Sequence, residues 1–279
     1  MNNKISIIIP VYNRINITKK GLCRVCELVS SNDFLNTLYE IIVVDDGSTD
    51  GTSEWIRRNY PHVILLQGDG NLWWSGCVNM GADYAIRHRA THILLWNDDV
   101  IPASDYFRNI SLILKDSIRE NTIIGSVIRD IVTNKIWHYG VHYYPYWGIL
   151  RHLKERNSAY VNCLTGMGTL IPSSIIKNLN FWDNKTFPQY FGDTDFTFRA
   201  FKCGYKILVY ESLRLYNDTS SSSFNQEKDI KKWWKSLLKI QSRYNIKIEV
   251  RFHSRHAKLF FWPIGMIYKH LKYFIQNVT

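Results

Sequence analysis

At 279 residues with 46% hydrophobic content, the chain has enough apolar mass for one large α/β domain or a domain with a small appendage, and no tract has a disordered composition. The formal charge of +11 is concentrated at one end: from Lys231 onward eleven Lys or Arg face one Glu, and with no RNA- or DNA-binding module beside that patch, nucleic acid is excluded as the expected partner. Five cysteines, with a lone Cys23-x-x-Cys26 pair and no histidines beside it, exclude a zinc site and point to reduced thiols in a cytoplasmic protein.

The opening MNNKISIIIP runs straight into an apolar strand, without the charged start and long apolar core of a signal peptide. The longest apolar stretch, Leu259 to Ile267, contains Pro263 and Gly265 and falls short of the roughly 20 residues that span a bilayer. Ile5 to Val11 and Tyr39 to Val44 are short β-branched runs, as strands buried on both faces are, and Thr18 to Val29 between them suits a helix. The alternation continues with helix 51–59, strand 63–66, helix 76–89, strand 92–96, helix 103–115 and strand 123–128. This order predicts right-handed βαβ units in a mixed, mostly parallel sheet flanked by helices, with ligands beyond the carboxyl ends of the strands. After residue 130, aromatic alternation such as WHYGVHYYPYWG predicts antiparallel hairpins on the substrate-facing side, and Ser220 to Ser223 reads as a mobile loop.

The loops at the strand ends carry the chemistry. Asp45-Asp46-Gly47-Ser48-Thr49-Asp50-Gly51-Thr52 offers Ser48, Thr49 and Asp50 as caps for the next helix. Capping leaves two consecutive aspartates unexplained, since like charges at a strand end need a ligand donor or cation to relieve them. Asn97-Asp98-Asp99 suits either a turn or a hard divalent cation with oxygen ligands. Gly68 to Gly76, leading to a helix with Asn79, suits either a tight turn with core tryptophans or a diphosphate held by backbone N–H groups.

In SIIIPVYNR, IIVVDDGSTDGT, GNLWWSGCVNMG, LLWNDDV, GMGTLIP and YFGDTDFTFRAFKCGYK, which follow one another over residues 4 to 217, the chain resembles family 2 glycosyltransferases of the GT-A fold, particularly a rhamnosyltransferase-like branch that builds bacterial surface polysaccharides. The resemblance implies inverting transfer of a sugar from a nucleotide-sugar donor to a glycan or lipid-linked glycan, assisted by Mn²⁺ or Mg²⁺. It assigns Pro10, Tyr12, Arg14 and Asp46 to the nucleotide; Asn71, Gly76, Asn79, Asp98, Gly166 and Met167 to the diphosphate and sugars; and Asp99 to the metal. Asp193 matches the general base, while Gly192 stands where relatives carry Glu. A histidine that often binds metal after the late strand is absent; either Asn217 or Asp218 substitutes through oxygen, or the site manages with Asp99, phosphates and water. Residues 1–223 are then the GT-A domain, with a nucleotide-binding half (1–129) and an acceptor-binding half (130–223).

If Asp193 caps a helix, Asp195 points about 200° away from it, and Arg199 at i+4 is its natural ion-pair partner, so Asp195 and Arg199 read as support. In residues 224–279, Ile230, Trp233, Trp234, Leu237 and Leu238 form a helical stripe among lysines. The stripe suits packing on the domain or, with segment 228–279, peripheral docking on the anionic inner face of a plasma membrane. Two other classes compete: a non-catalytic sugar-nucleotide or glycan binder, and a nucleotidyltransferase. PVYNRIN after the first strand lacks the Gly-rich basic loop of the latter.

Overall fold

The computed structural model describes residues 3–30, 37–115, 121–153, 161–218, 230–242, 244–258 and 261–278. The serine run 220–223 lies outside them. The first half alternates as its apolar runs require: β1 (Asn3–Val11), α1 (Ile15–Ser30), β2 (Thr37–Asp45), α2 (Thr52–Asn59), β3 (Ile64–Gln67), α3 (Trp73–Arg87) and β4 (His92–Leu95). Then follow β5 (Val100–Pro102), α4 (Tyr106–Ile113), β6 (Thr122–Asp130), β7 (Ile136–His138), the hairpin β8 (Gly140–Tyr144) and β9 (Ile149–Leu153), β10 (Thr169–Pro172), α5 (Ser173–Asn178), α6 (Gly192–Lys202) and β11 (Lys206–Asn217). The basic end contributes α7 (Ile230–Ser236), α8 (Ile246–His256) and α9 (Trp262–Val278).

Eight strands of the nine-stranded sheet run in the order β3-β2-β1-β4-β10-β6-β11-β5, and β7 pairs with β6. The pairs β1–β2, β1–β4, β2–β3 and β6–β11 are parallel, whereas β10 is antiparallel to β4 and β6. Ile5, Ile7 and Ile9 pack on one face with α1 and α4, and Ile8, Ile42 and Val44 on the other with α3, which is why these strands lack a polar alternation.

The expected helix 103–115 starts only at Tyr106, because Val100 to Pro102 form an edge strand against β11. A proline suits such an edge. From Leu95 to Val100 is a reach of about 18 Å at most, whereas β4 and β5 in a flat sheet would be about 19 Å apart. The link is not extended, since Val100 N–H turns back to the Asn97 carbonyl, so the sheet curls and brings its far edge toward the carboxyl end of β4.

The stripe expected at 230–238 is divided. α7 ends at Ser236, a tighter turn follows in which Leu237 N–H donates to the Trp234 carbonyl, and Leu237 is buried while Trp234 and Leu238 stay exposed. The main attachment of the basic region is α8: Ile248 and Phe252 enter an aromatic cluster with Tyr143, Phe187 and Phe198. Full burial of side chains of this size contributes roughly 1.5–3 kcal/mol each.

Candidate active site

Because β10 runs opposite to β4, with Thr169 paired to Leu95, the residues before it, Gly166 and Met167, reach the same sheet edge as Asn97, Asp98 and Asp99. The loops after β1 and β2 share that edge and are joined by side chains. Asn13 Oδ1 accepts from Thr49 N–H, Ser48 Oγ accepts from Asn13 N–H, and Asp50 accepts from Ile15 N–H and Thr52 N–H. Of the three expected caps only Asp50 serves α2; Ser48 and Thr49 tie two loops together.

The paired aspartates need no ligand to relieve them, which corrects the expectation drawn from their charge. Asp45 accepts from Ser48 N–H and the Ser53 hydroxyl. Asp46, 6% exposed, accepts from the backbone N–H groups of Gly70, Leu72 and Trp73 at 3.0, 3.2 and 2.9 Å. Its carboxylate therefore fixes the 68–73 loop, in which Asn71 is exposed and Trp73 adopts a left-handed φ of 56°. A non-glycine residue in that region costs about 1–3 kcal/mol, a strain that surrounding bonds must hold.

Arg14, assigned to the nucleotide, turns instead onto the cation motif: its guanidinium lies 3.2 Å from Asp98 and 3.2 Å from Asp99. Pro10 is partly exposed and Tyr12 53% exposed at the mouth of the cleft. Burial pushes the Asp98 carboxyl up to about 6, against the pull of Arg14 and of the Thr18 hydroxyl that donates to it. Asp99 Oδ2 is bound by Arg14, but its Oδ1 is buried with no hydrogen-bond partner. The β5–β11 pairing ends with Val100 opposite Asn217, and Asp99 and Asp218 are the residues that flank this last pair. Among the described residues no three His, Cys, Asp or Glu side chains converge as a ready cation site. The orphaned Asp99 oxygen nevertheless fits a hard ion that takes further oxygens from a ligand.

Trp74 links this motif to Gly166 and, through it, to α6. Its indole N–H donates to Asn97 Oδ1 at 3.3 Å, and its ring lies so close to Gly166 that a Cβ there would come within 2.2 Å. Gly166 N–H in turn donates to Asp193 Oδ2 at 2.9 Å, and Thr194 N–H donates to Asp193 Oδ1 at 2.7 Å. Met167 Sδ lies 3.9 Å from Asn217 Nδ2. Asn97, Trp74, Gly166 and Asp193 thus form one connected wall.

Asp193 is not the cap of α6, as the spacing suggested, but its second residue; the cap position is Phe191, in a left-handed conformation with φ 66°. Burial raises the Asp193 pKa above its ordinary value despite these hydrogen bonds. Asp195 has the opposite surroundings. Arg199 Nε lies at 2.9 Å, and two groups from α8, Arg255 at 3.1 Å and His256 Nε2 at 2.8 Å, approach its other oxygen. Sequence reading missed both α8 partners; the i+4 spacing that finds Arg199 cannot reach sixty residues away. Arg199 also donates to the Leu179 and Phe181 carbonyls.

Two further expectations change. Asn79, assigned to the diphosphate and sugar, binds the backbone of Trp182 through both ends of its amide, at 2.8 and 3.0 Å, leaving no carbonyl oxygen free of that task. Gly192 has a steric reason: a Cβ there would lie 2.1 Å from Ser75 Oγ, whose hydroxyl donates to the Phe187 carbonyl. Gly76, one residue further along α3, leaves room for Leu72, 3.0 Å from its would-be Cβ.

Solved structures share this fold. GalNAc-T7, solved with UDP, GalNAc and Mn²⁺, aligns over 97% of this chain and 57% of its own at TM-score 0.60 and 14% identity. The mannosyltransferase PcManGT from Pyrobaculum calidifontis, in complex with GDP-Man and Mn²⁺, aligns over 98% and 75% at TM-score 0.57 and 14% identity. S. aureus TarS 1–349 aligns over 99% and 81% at TM-score 0.55 and 16% identity. At such identities the likeness establishes the fold, an α/β domain of the GT-A class.

Residues 6–173 match the family described as glycosyl transferase family 2, and the chain belongs to that family: it is a glycosyltransferase. It is 27% identical over 277 residues to an uncharacterised glycosyltransferase, YibD, of Escherichia coli (strain K12), covering 91% of this chain and 76% of that protein. An uncharacterised glycosyltransferase of Rickettsia bellii (strain RML369-C) is 44% identical over 54 residues, which cover 19% of this chain and 7% of that protein.

Proposed function

We propose that the enzyme transfers a sugar, with inversion, from a dTDP- or UDP-sugar to a glycan or lipid-linked glycan in bacterial surface polysaccharide synthesis, with Asp193 as general base. The observation that carries this reading is the environment of Asp193. It is a carboxylate with a raised proton affinity, tied to Gly166 and joined through Trp74 to the Asn97 end of the cation motif. Such a base takes the proton of an acceptor hydroxyl as it attacks the anomeric carbon, while the donor diphosphate leaves from the opposite side.

Asp99, whose Oδ1 is buried without a partner, is the candidate holder of a divalent ion, with Asp218 as a second carboxylate to test. Mn²⁺ or Mg²⁺ there would neutralise charge on the departing diphosphate. GalNAc-T7 and PcManGT were both solved with Mn²⁺. Pro10 and Tyr12 border the proposed base pocket, and Asn71 and Gly76 flank the loop toward the diphosphate. Gly166 and Met167 floor the sugars. Arg14, beside Asp98 and Asp99, adds a positive group facing the same phosphates.

The test is a panel of UDP-, dTDP- and GDP-sugars with and without Mn²⁺, scored by donor consumption and by NMR of the product's anomeric proton. Cation-stimulated consumption of one donor with an inverted product is expected. A retained anomer, or turnover of that donor indifferent to chelation, would overturn the mechanism.

A further inference from the structure

We infer that the outer face of α9, with the tip of the β8–β9 hairpin, docks on an anionic lipid bilayer. Ile264, Ile267, Tyr268 and Leu271 are 62%, 56%, 68% and 56% exposed, and their i, i+3, i+4, i+7 spacing puts them along one side of the helix. Large apolar residues lined up in water mark an interaction surface.

The hairpin tip extends this surface. Trp147, 57% exposed, stacks on Phe261, 49% exposed, with ring centroids 5.8 Å apart. Two glycines allow the close fit: a Cβ on Gly148 would lie 2.4 Å from Trp262 Cβ, and one on Gly265 would lie 2.6 Å from the Trp147 carbonyl oxygen. Hairpin and helix therefore present one preassembled patch, with aromatic rings at its edge, as surfaces that sit at the headgroup level of a membrane have.

Charge selects the occupant. From Lys231 onward Glu249 is the one acidic residue in the sequence, and it is 1% exposed, bound on the inner side of α9 by Lys269 at 2.9 Å and His270 at 2.9 Å. Lys258, at the foot of α9 and over the Tyr146 ring at 5.3 Å, and Lys272, on α9 itself, are exposed. The face thus combines apolar side chains with cations and no exposed acid, a match for anionic headgroups over acyl chains rather than for an uncharged protein groove. At 17 residues α9 is too short and polar to cross a bilayer, so it lies along the surface. The α8 helix that holds α9 through Glu249 also holds Asp195 through Arg255 and His256, which ties the orientation of the docked face to that of α6.

The 279-residue chain is tested by sedimentation with vesicles of phosphatidylcholine containing roughly 30% phosphatidylglycerol, against pure phosphatidylcholine, at low salt. Binding requires no donor or acceptor, so its outcome is separate from that of the transfer reaction. Expected is sedimentation with the anionic vesicles alone, weakened at least about tenfold by Ile267→Glu with Leu271→Glu at an unchanged melting temperature. Should that double variant fail to fold, Lys258→Gln with Lys272→Gln should weaken binding about fivefold per lysine. A chain left in the supernatant, equal binding to neutral vesicles, or binding untouched by these substitutions would overturn the proposal. So would a dimer in gel filtration that Ile267→Glu with Leu271→Glu dissolves, because the face would then belong to a second copy.

Discussion

The cleft-facing side of α6 and the side facing α8 place two aspartates, two residues apart, in opposite settings. Asp193 is held by uncharged donors from Gly166 and Thr194, and burial leaves its proton affinity raised. Asp195 is fully buried, yet its pKa is lowered, because the His256 hydrogen bond and the Arg199 charge together outweigh that burial. One helix thus carries a group prepared to accept a proton and another locked as an anion. The cations that would quench a base are kept on the far side, less than one turn away.

Replacing each aspartate by its amide should separate the two sides. The largest effect is expected from Asp193→Asn, a loss of transfer of about 10²- to 10⁴-fold, read as turnover at saturating donor. Its melting temperature at pH 7 should change little, because the amide loses one of the two acceptors that serve Gly166 and Thr194 N–H but sheds the cost of a buried charge. A carboxyl whose folded pKa is raised above its ordinary 3.8 costs stability once ionised, and the amide removes that cost. Full activity in this variant would end the assignment of the base.

Asp195→Asn should lose about 3 kcal/mol of stability at pH 7 in urea melts, the low end for breaking a buried ion pair, since the amide still accepts hydrogen bonds. A depressed pKa contributes stability that is present above 3.8 and is lost as pH falls through the lower folded value, so the deficit of Asp195→Asn should close in acid. The smallest effect is a displacement of the pH–rate profile: its acid limb should lie above the ordinary carboxylate value of 3.8, because the Asp193 pKa is raised. A limb at or below 3.8 would mean that another group sets the rate.

Much of the nucleotide side was legible because its causes are local. β1, β2 and β4 announce themselves as β-branched runs, and topology alone puts their polar loops at one edge. What stayed hidden depends on contacts between distant segments. Arg14 reads as a loop residue until the curl of the sheet brings Asp98 and Asp99 to it. The donors to Asp46 come from the 70–73 backbone, more than twenty residues further on, and three residues of edge strand at Val100 to Pro102 are too short for any periodicity. On α6 the i+4 rule found Arg199, whereas Arg255 and His256 arrive from a helix whose composition suggested only a basic appendage.

Gly192 has a consequence for how the chain can change. With Ser75 Oγ 2.1 Å from where a Cβ would stand, a side chain at 192 requires the Ser75 hydroxyl to turn away from the Phe187 carbonyl that it binds. Ser75→Ala removes that atom and leaves the Cβ of residue 75 at an ordinary 3.5 Å, so that the Phe187 carbonyl, 3.2 Å away, becomes the tightest contact of a Cβ at 192. Positions 75 and 192 are therefore coupled: a side chain at 192 should cost less stability in the Ser75→Ala background than in the parent chain.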